Sequence, residues 1–226
     1  MYVTTNREVF DEIAESWYRV RHWPLLRDDL DALAARWQGG KLLNVGCAHG
    51  PDFLSFRQGF ELYGVDCSSG MVRQAVGYSG KFNFYVNLAI SDALFLPFAD
   101  NTFDCAISVA AYHHVKGRQE REKAFIELKR VLKPGGEAFL TVWNWGQPRF
   151  WFKSKEQQVP WHLKGKTVYR YYHLFSYGEL RKLLVKTGWE IVEISPEKSY
   201  HFAVEHFSRN ICVLMRKQGI RLRPDV

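Results

Sequence analysis

The segment KLLNVGCAHG, residues 41–50, is an apolar run that breaks into a turn with glycines at 46 and 50. An uninterrupted apolar run bounded by turn residues predicts a strand covered on both faces. The glycines let the backbone turn sharply and come close to a ligand. The turn lacks the G-x-G-x-x-G spacing of nicotinamide-binding loops, which argues against a dehydrogenase. Outward from this segment, strands and helices alternate. PDFLSFRQ (51–58) predicts a helix, ELYGVDC (61–67) a strand and SSGMVRQAV (68–76) a helix. KFNFYVNLAI (81–90) alternates with period two, as a strand does, and FDCAISVAA (103–111) is again continuously apolar. The helix RQEREKAFIELKRVL (118–132) stops at Lys133-Pro134-Gly135-Gly136, before the strand EAFLTVWN (137–144). Ser176 and Glu179 make a capping box for YGELRKLLVKTG (177–188), and WEIVEIS (189–195) and NICVLMRK (210–217) close the pattern as strands. This order predicts an α/β fold, a doubly wound, mostly parallel seven-stranded sheet.

Upstream, Thr5 and Glu8 have capping-box spacing, and Val9, Phe10, Ile13, Ala14 and Trp17 share one helical face. A second helix is expected from near Pro24 to Gly39-Gly40, so residues 1–40 form N-terminal helices of a single domain spanning 1–226. The amino terminus is polar and acidic, unlike a signal peptide, and no apolar run reaches the length of a membrane span. The four cysteines, Cys47, Cys67, Cys105 and Cys212, are scattered without metal-ligand spacing. They suggest buried thiols in a reducing, cytoplasmic compartment, with no metal site.

The chain carries a formal net charge of +7, unevenly placed. Up to His113 there are 9 Lys and Arg against 13 Asp and Glu; beyond it there are 22 against 11. The richest stretch, 145–175, interleaves Arg149, Lys153, Lys155, Lys164, Lys166 and Arg170 with Trp145, Phe150, Trp151, Phe152, Trp161, Tyr169, Tyr171 and Tyr172, and holds one acid, Glu156. Cations for phosphates beside aromatic faces for unstacked bases suit single-stranded RNA. A solvated basic loop with some core-facing rings would read the same way.

In such sheets the ligand lies beyond the carboxyl ends of the strands. Those ends carry Gly46–Gly50, Asp66, Asp92 and Ala110–His114. A carboxylate at 66 can accept from two ribose hydroxyls, and one at 92 can take the exocyclic amine of adenine. Each acid alone reads as a helix cap or turn residue, but two acids and a glycine turn at consecutive strand ends are harder to dismiss as such.

NVGCAHG, GVDCSSGMV, SDALFLPFADNTFDCAISVA and LKRVLKPGGEAFLTVW together resemble a class I S-adenosylmethionine-dependent methyltransferase. More narrowly, FDEIAESWYRVRHWP, ISVAAYHHVKGRQER, VYRYYHLFSYGEL and RNICVLMRK are similar to the tRNA wobble-uridine carboxymethyl methyltransferases. That family includes the methyltransferase domain of the AlkB-homologue protein. The resemblance implies that Gly46, Cys47, Ala48 and Gly50 line the methionine part of S-adenosylmethionine. It implies that Asp66 holds the ribose, Cys67 lies against adenine, Asp92 and Ala93 read the adenine edge, and Val109 and Ala110 lie beneath the sulfonium. It assigns Arg19, His114, Arg121 and Asn210 to the substrate pocket, with Arg121 the more structural. The implied partners are the tRNA anticodon stem-loop and a small zinc-binding activator subunit, joined as a heterodimer; the alternating edge stretch 82–90 could take a strand from such a partner or be covered by a loop of the same chain. No membrane partner is implied.

The chain departs from that family at Asn44, where an acid is usual, at Ala48, where glycine is, and at Ile211, where tryptophan is. The implied reaction converts a carboxymethyl group to its methyl ester. A free carboxylate of this kind has a pKa of about 4 and is already nucleophilic, so positioning matters more than a general base. Two other readings stand beside it: a small-molecule methyltransferase of quinone-biosynthesis type, and a non-catalytic RNA-binding protein with a degenerate pocket.

Overall fold

A computed structural model describes residues 5–198, 204–205 and 207–219; the outermost residues of the expected 1–226 domain lie outside this range. Helix α1 (Asn6–Val20) begins at the predicted capping box, with the Thr5 hydroxyl accepting from the Glu8 amide and the Glu8 carboxylate accepting from the Thr5 amide. Val9, Ile13 and Ala14 form its buried stripe. Helix α2 (Arg27–Trp37) starts later than Pro24 and ends at Gln38 in the left-handed conformation. Then follow β1 (Gly40–Val45), β2 (Phe60–Asp66), α3 (Ser69–Lys81), β3 (Asn87–Ile90), β4 (Phe103–Val109), α4 (Arg118–Val131) and β5 (Leu132–Trp143). The chain continues with β6 (Glu156–Leu163), β7 (Lys166–His173), α5 (Tyr177–Lys186), β8 (Trp189–Pro196) and β9 (Asn210–Lys217).

Seven strands form one sheet in the order β3-β2-β1-β4-β5-β9-β8, parallel except that β9 runs against both its neighbours. The continuous apolar runs are buried on both faces because alternate residues serve opposite layers. Leu43, Val45 and Ala106 pack with α4 and α5, while Leu42, Cys105 and Ile107 pack with α2, Phe53 and Phe56. Helix α1 crosses α3 closely at Gly70, where an added Cβ would come within 3.0 Å of Ala14. The Asp11 carboxylate secures the crossing by accepting from the Gly70 amide and from Ser68 and Ser69.

Four expectations change. PDFLSFRQ forms only a short 3-10 turn, Pro51–Ser55. KFNFYVNLAI is a strand only over Asn87–Ile90, since Phe82 ends α3; Phe84, Val86 and Leu88 still turn toward the core. Lys133–Gly136 ends the helix as predicted, yet β5 already starts at Leu132 and bulges across it. The largest difference lies in 145–175, where β6 and β7 form a separate antiparallel hairpin rather than a solvated basic loop.

That hairpin is docked on α1. Trp161 donates its indole N–H to Ser16 Oγ at 2.8 Å, and the Arg170 guanidinium lies 5.5 Å from the Trp17 ring and 4.9 Å from that of Trp161. Lys166 pairs with Glu12 and Lys155 with Glu179. Cations that read as an open RNA surface are therefore largely committed within the protein, while Lys153 and Lys164 remain exposed. Among the described residues no helix is long and apolar enough to cross a membrane.

Candidate active site

Two loops meet at the carboxyl ends of β1 and β2. The amides of Gly46 and Cys47 both donate to the Val65 carbonyl, at 2.8 and 3.0 Å. The Asp66 carboxylate ties the loops together, Oδ2 accepting from the Ala48 amide at 2.8 Å and Oδ1 from Ser68 at 2.9 Å. Gly46 has φ +73°, and a Cβ there would overlap Ala111. Ala48 has φ +47°, so the position where the family usually has glycine does require left-handed backbone. At the end of β3, Asp92 Oδ1 accepts from Leu94 N in a local turn.

These ends surround a cavity of about 410 Å³, within the usual size range for a small-molecule site. Gly46, Ala48, Asp66, Cys67, Asp92, Ala93, Val109 and Ala110 all line it. Burial pushes the Asp66 carboxyl up to about 6 despite its two backbone hydrogen bonds, and pushes the Cys67 thiol up to about 12, leaving it unreactive. Each Asp66 oxygen accepts one backbone N–H and keeps a lone pair for a further donor. Cys47 and Gly50 do not line the cavity. The Cys47 side chain is buried in the core with Phe53 and Phe56, and Gly50 turns the chain into the 3-10 segment.

The far end of the cavity is aromatic and cationic. Trp143 and Tyr172 pack with ring centres 4.4 Å apart, and Tyr172 stacks on His113 at 4.7 Å. His114 lines the cavity, but its Nδ1 lies 2.9 Å from the Tyr171 carbonyl. A carbonyl only accepts, so Nδ1 carries the hydrogen and Nε2 is left as an acceptor. Burial, chiefly, drives the ring's pKa down to about 3, so it stays neutral and offers Nε2 as no donor to a carboxylate. Asn210 also lines the cavity, with its amide donating to Glu197 at 2.8 Å.

The other two expected pocket residues lie elsewhere. Arg19 is exposed and pairs with Glu15. Arg121 is buried beside the Val115 carbonyl, outside the main cavity. It lines instead a cleft of about 500 Å³ with Arg118, Lys155, Lys182 and Lys186 opposite Glu122 and Glu179.

Three arginines line the cavity: Arg7 lies toward Cys67, while Arg21 and Arg209 lie together toward Tyr172. Arg21 is half-buried and its Nε has no partner. Burial first, then the charge of Arg209, lower its pKa. Helical spacing could have found Arg21: residues four apart share a face, so it follows Ile13 and Trp17 while Arg19 turns outward. Nothing in the local pattern singles out Arg209 or Asp52, which also lines the cavity.

A glycine that admits no Cβ, a pinned carboxylate at the second strand and another at the third fit an adenosyl group with a methionine tail. Fold and site define a class I S-adenosylmethionine-dependent methyltransferase. Residues 43–140 match the family model described as "Methyltransferase domain". A Clostridium acetobutylicum S-adenosylmethionine-dependent methyltransferase superposes with a TM-score of 0.74 at 13% identity, over 93% of this chain and 100% of that one. The structure of the Haloferax volcanii Trm112 methyltransferase activator with a methyltransferase gives 0.68 at 17% identity, over 97% and 100%. In sequence, the tRNA (carboxymethyluridine(34)-5-O)-methyltransferase of Schizosaccharomyces pombe is 30% identical over 213 residues, covering 82% of this chain and 89% of the relative. The chain belongs to the tRNA (carboxymethyluridine(34)-5-O)-methyltransferase family.

Proposed function

We propose that this chain, acting as one methyltransferase domain, esterifies the carboxylate of 5-carboxymethyluridine at the wobble position of tRNA. The observation that carries this reading is the convergence of Arg21 and Arg209 on the cavity end walled by Trp143 and Tyr172. Two like charges at one wall are a site for an anion, and flanking rings are a site for an unstacked base. S-adenosylmethionine supplies the methyl group on a sulfonium. Asp66 would hold the ribose and Asp92 with Ala93 the adenine edge, while Val109 and Ala110 underlie the reacting centre.

Arg21 and Arg209 position the carboxylate, which needs no deprotonation near neutral pH. Their mutual repulsion falls when the anion enters and returns when the neutral ester forms, which favours product release. His114, as an acceptor, suits a ring imide N–H of the base better than the carboxylate. Asn210 holds Glu197, which in turn meets Arg209 at 3.4 Å. The edge strand β3, which ends in exposed Ile90 and follows exposed Tyr85, is where a small activator subunit would add a strand.

The test is methyl transfer to carboxymethyl-modified tRNA, read as a base-labile ester. Arg21→Gln and Arg209→Gln should each lower kcat/KM about 100-fold, in line with loss of a charged contact of roughly 3 kcal/mol. Binding of S-adenosylhomocysteine should stay within about twofold of wild type, a change of roughly 0.4 kcal/mol. Undiminished turnover in both variants would remove the arginines from the site, and a base-stable product would remove the ester.

A further inference from the structure

The loop that follows β1 holds polar groups that the fold itself leaves weakly partnered. Asn44 and His49 are fully buried, and neither the Asn44 carboxamide nor the His49 ring makes a hydrogen bond of regular geometry; the Asn44 amide is directed at Asp52 and a His49 nitrogen at the Arg21 carbonyl. Weakly satisfied buried groups of this kind are costly, about 1–3 kcal/mol when left wholly unpaired, and mark this loop as a polar pocket in an otherwise apolar core. Asp52 lies beside them and lines the cavity, with 7% of its surface exposed. No ion pair reaches its carboxylate among the described residues. Burial raises its pKa to about 7, only partly offset by the nearby Asn44 amide. Its other neighbours bring no cation: Cys47 and Tyr78 both feel its charge as a repulsion, and burial holds the His49 ring neutral, with a pKa of about 4.

A buried carboxylate without a counter-charge, facing a cavity, is a seat for a cationic donor. We propose that Asp52 accepts the α-ammonium of the cofactor's methionine tail. The negative charge that the family usually places at position 44 thus resides at position 52 in this chain, with Asn44 behind it as a neutral dipole. Sequence distance does not oppose this: Asp52 follows the same turn that carries Gly46 and Ala48 past the cavity. The ammonium brings three N–H donors to a cavity wall where the Asp52 carboxylate is the charged acceptor, with Asn44 directed at that carboxylate from behind.

This assignment rests on the cofactor class identified above, so its test uses two ligands. Calorimetry on the full chain compares S-adenosylhomocysteine with its analogue lacking the α-amine. Wild type should prefer the amine-bearing ligand by about tenfold or more, the scale of one charge-assisted hydrogen bond. Asp52→Asn should abolish that preference by weakening S-adenosylhomocysteine alone, leaving the deaminated ligand within about twofold. Without ligand, the variant should melt at or above the wild-type temperature, because it removes an unpaired buried carboxylate. A retained preference, or equal weakening of both ligands, would overturn the role of Asp52. If wild type bound neither ligand, the cofactor class would fail first and this assignment with it.

Discussion

At the residue scale, two positions in the first loop should respond in opposite directions. Gly46 has no room for a side chain against Ala111, whereas Ala48 carries a methyl group in left-handed backbone. Gly46→Ala should therefore displace the loop and abolish S-adenosylhomocysteine binding in calorimetry. Ala48→Gly should raise stability by about 1 kcal/mol in denaturant melts, the cost of that conformation for an L-residue. A loss of stability in the second variant would show that the Ala48 methyl makes contacts worth more than its strain. The glycine turn was legible from the order of residues alone. Spacing to Trp23-Pro24 points to Arg19, but Arg19 faces solvent and Arg21 the cavity, because a shift of two residues turns a side chain to the opposite side of a helix.

At the scale of elements, the β6–β7 hairpin depends on Asn6. Its carboxamide mimics a neighbouring strand, donating to the Tyr171 carbonyl at 2.9 Å and accepting from the Tyr171 amide at 2.7 Å. The same carbonyl fixes the His114 tautomer, so one side chain joins α1, the hairpin and the cavity wall. Asn6→Ala should cost about 2 kcal/mol, since a half-buried backbone pair loses its partner. Faster proteolysis near Gly165, at the hairpin turn, and a raised KM for tRNA should accompany it. Unchanged proteolysis would mean that the Trp17, Trp161 and Arg170 stack holds the hairpin by itself. Sequence pattern gave no sign of this hairpin, because Lys and Arg dispersed among aromatic residues read alike whether stacked or solvated. The burial of Arg170 against the paired Trp17 and Trp161 rings is a fact of packing.

For the whole molecule, the question is where an anionic polymer meets the protein. The cleft between the starts of α4 and α5 gathers five cations and two acids near Val115 and Lys116 on the cavity rim. The hairpin, by contrast, has committed Lys166 to Glu12. Charge reversal at Arg118 and Lys182 should weaken tRNA binding and reduce the slope of log affinity against log salt by about 0.7 per lost contact. Lys166→Glu should do less. The reverse ranking would return the RNA surface to the hairpin. The +11 balance of the second half, visible in composition, says that an acidic partner is favoured but not which face receives it.

The parallel sheet, its order of strands and helices, and the glycines and acids at strand ends were determined by local pattern. Buried runs, caps and turns depend on residues near one another in the chain, and these declare themselves in sequence. Only the folded chain decided that Arg21 and Arg209 share a wall, that His114 is a neutral acceptor, and that Asp52 lines the cavity without an ion-pair partner among the described residues. Such properties arise from burial and from charges brought together across distant segments, and neither exists until the chain has closed on itself.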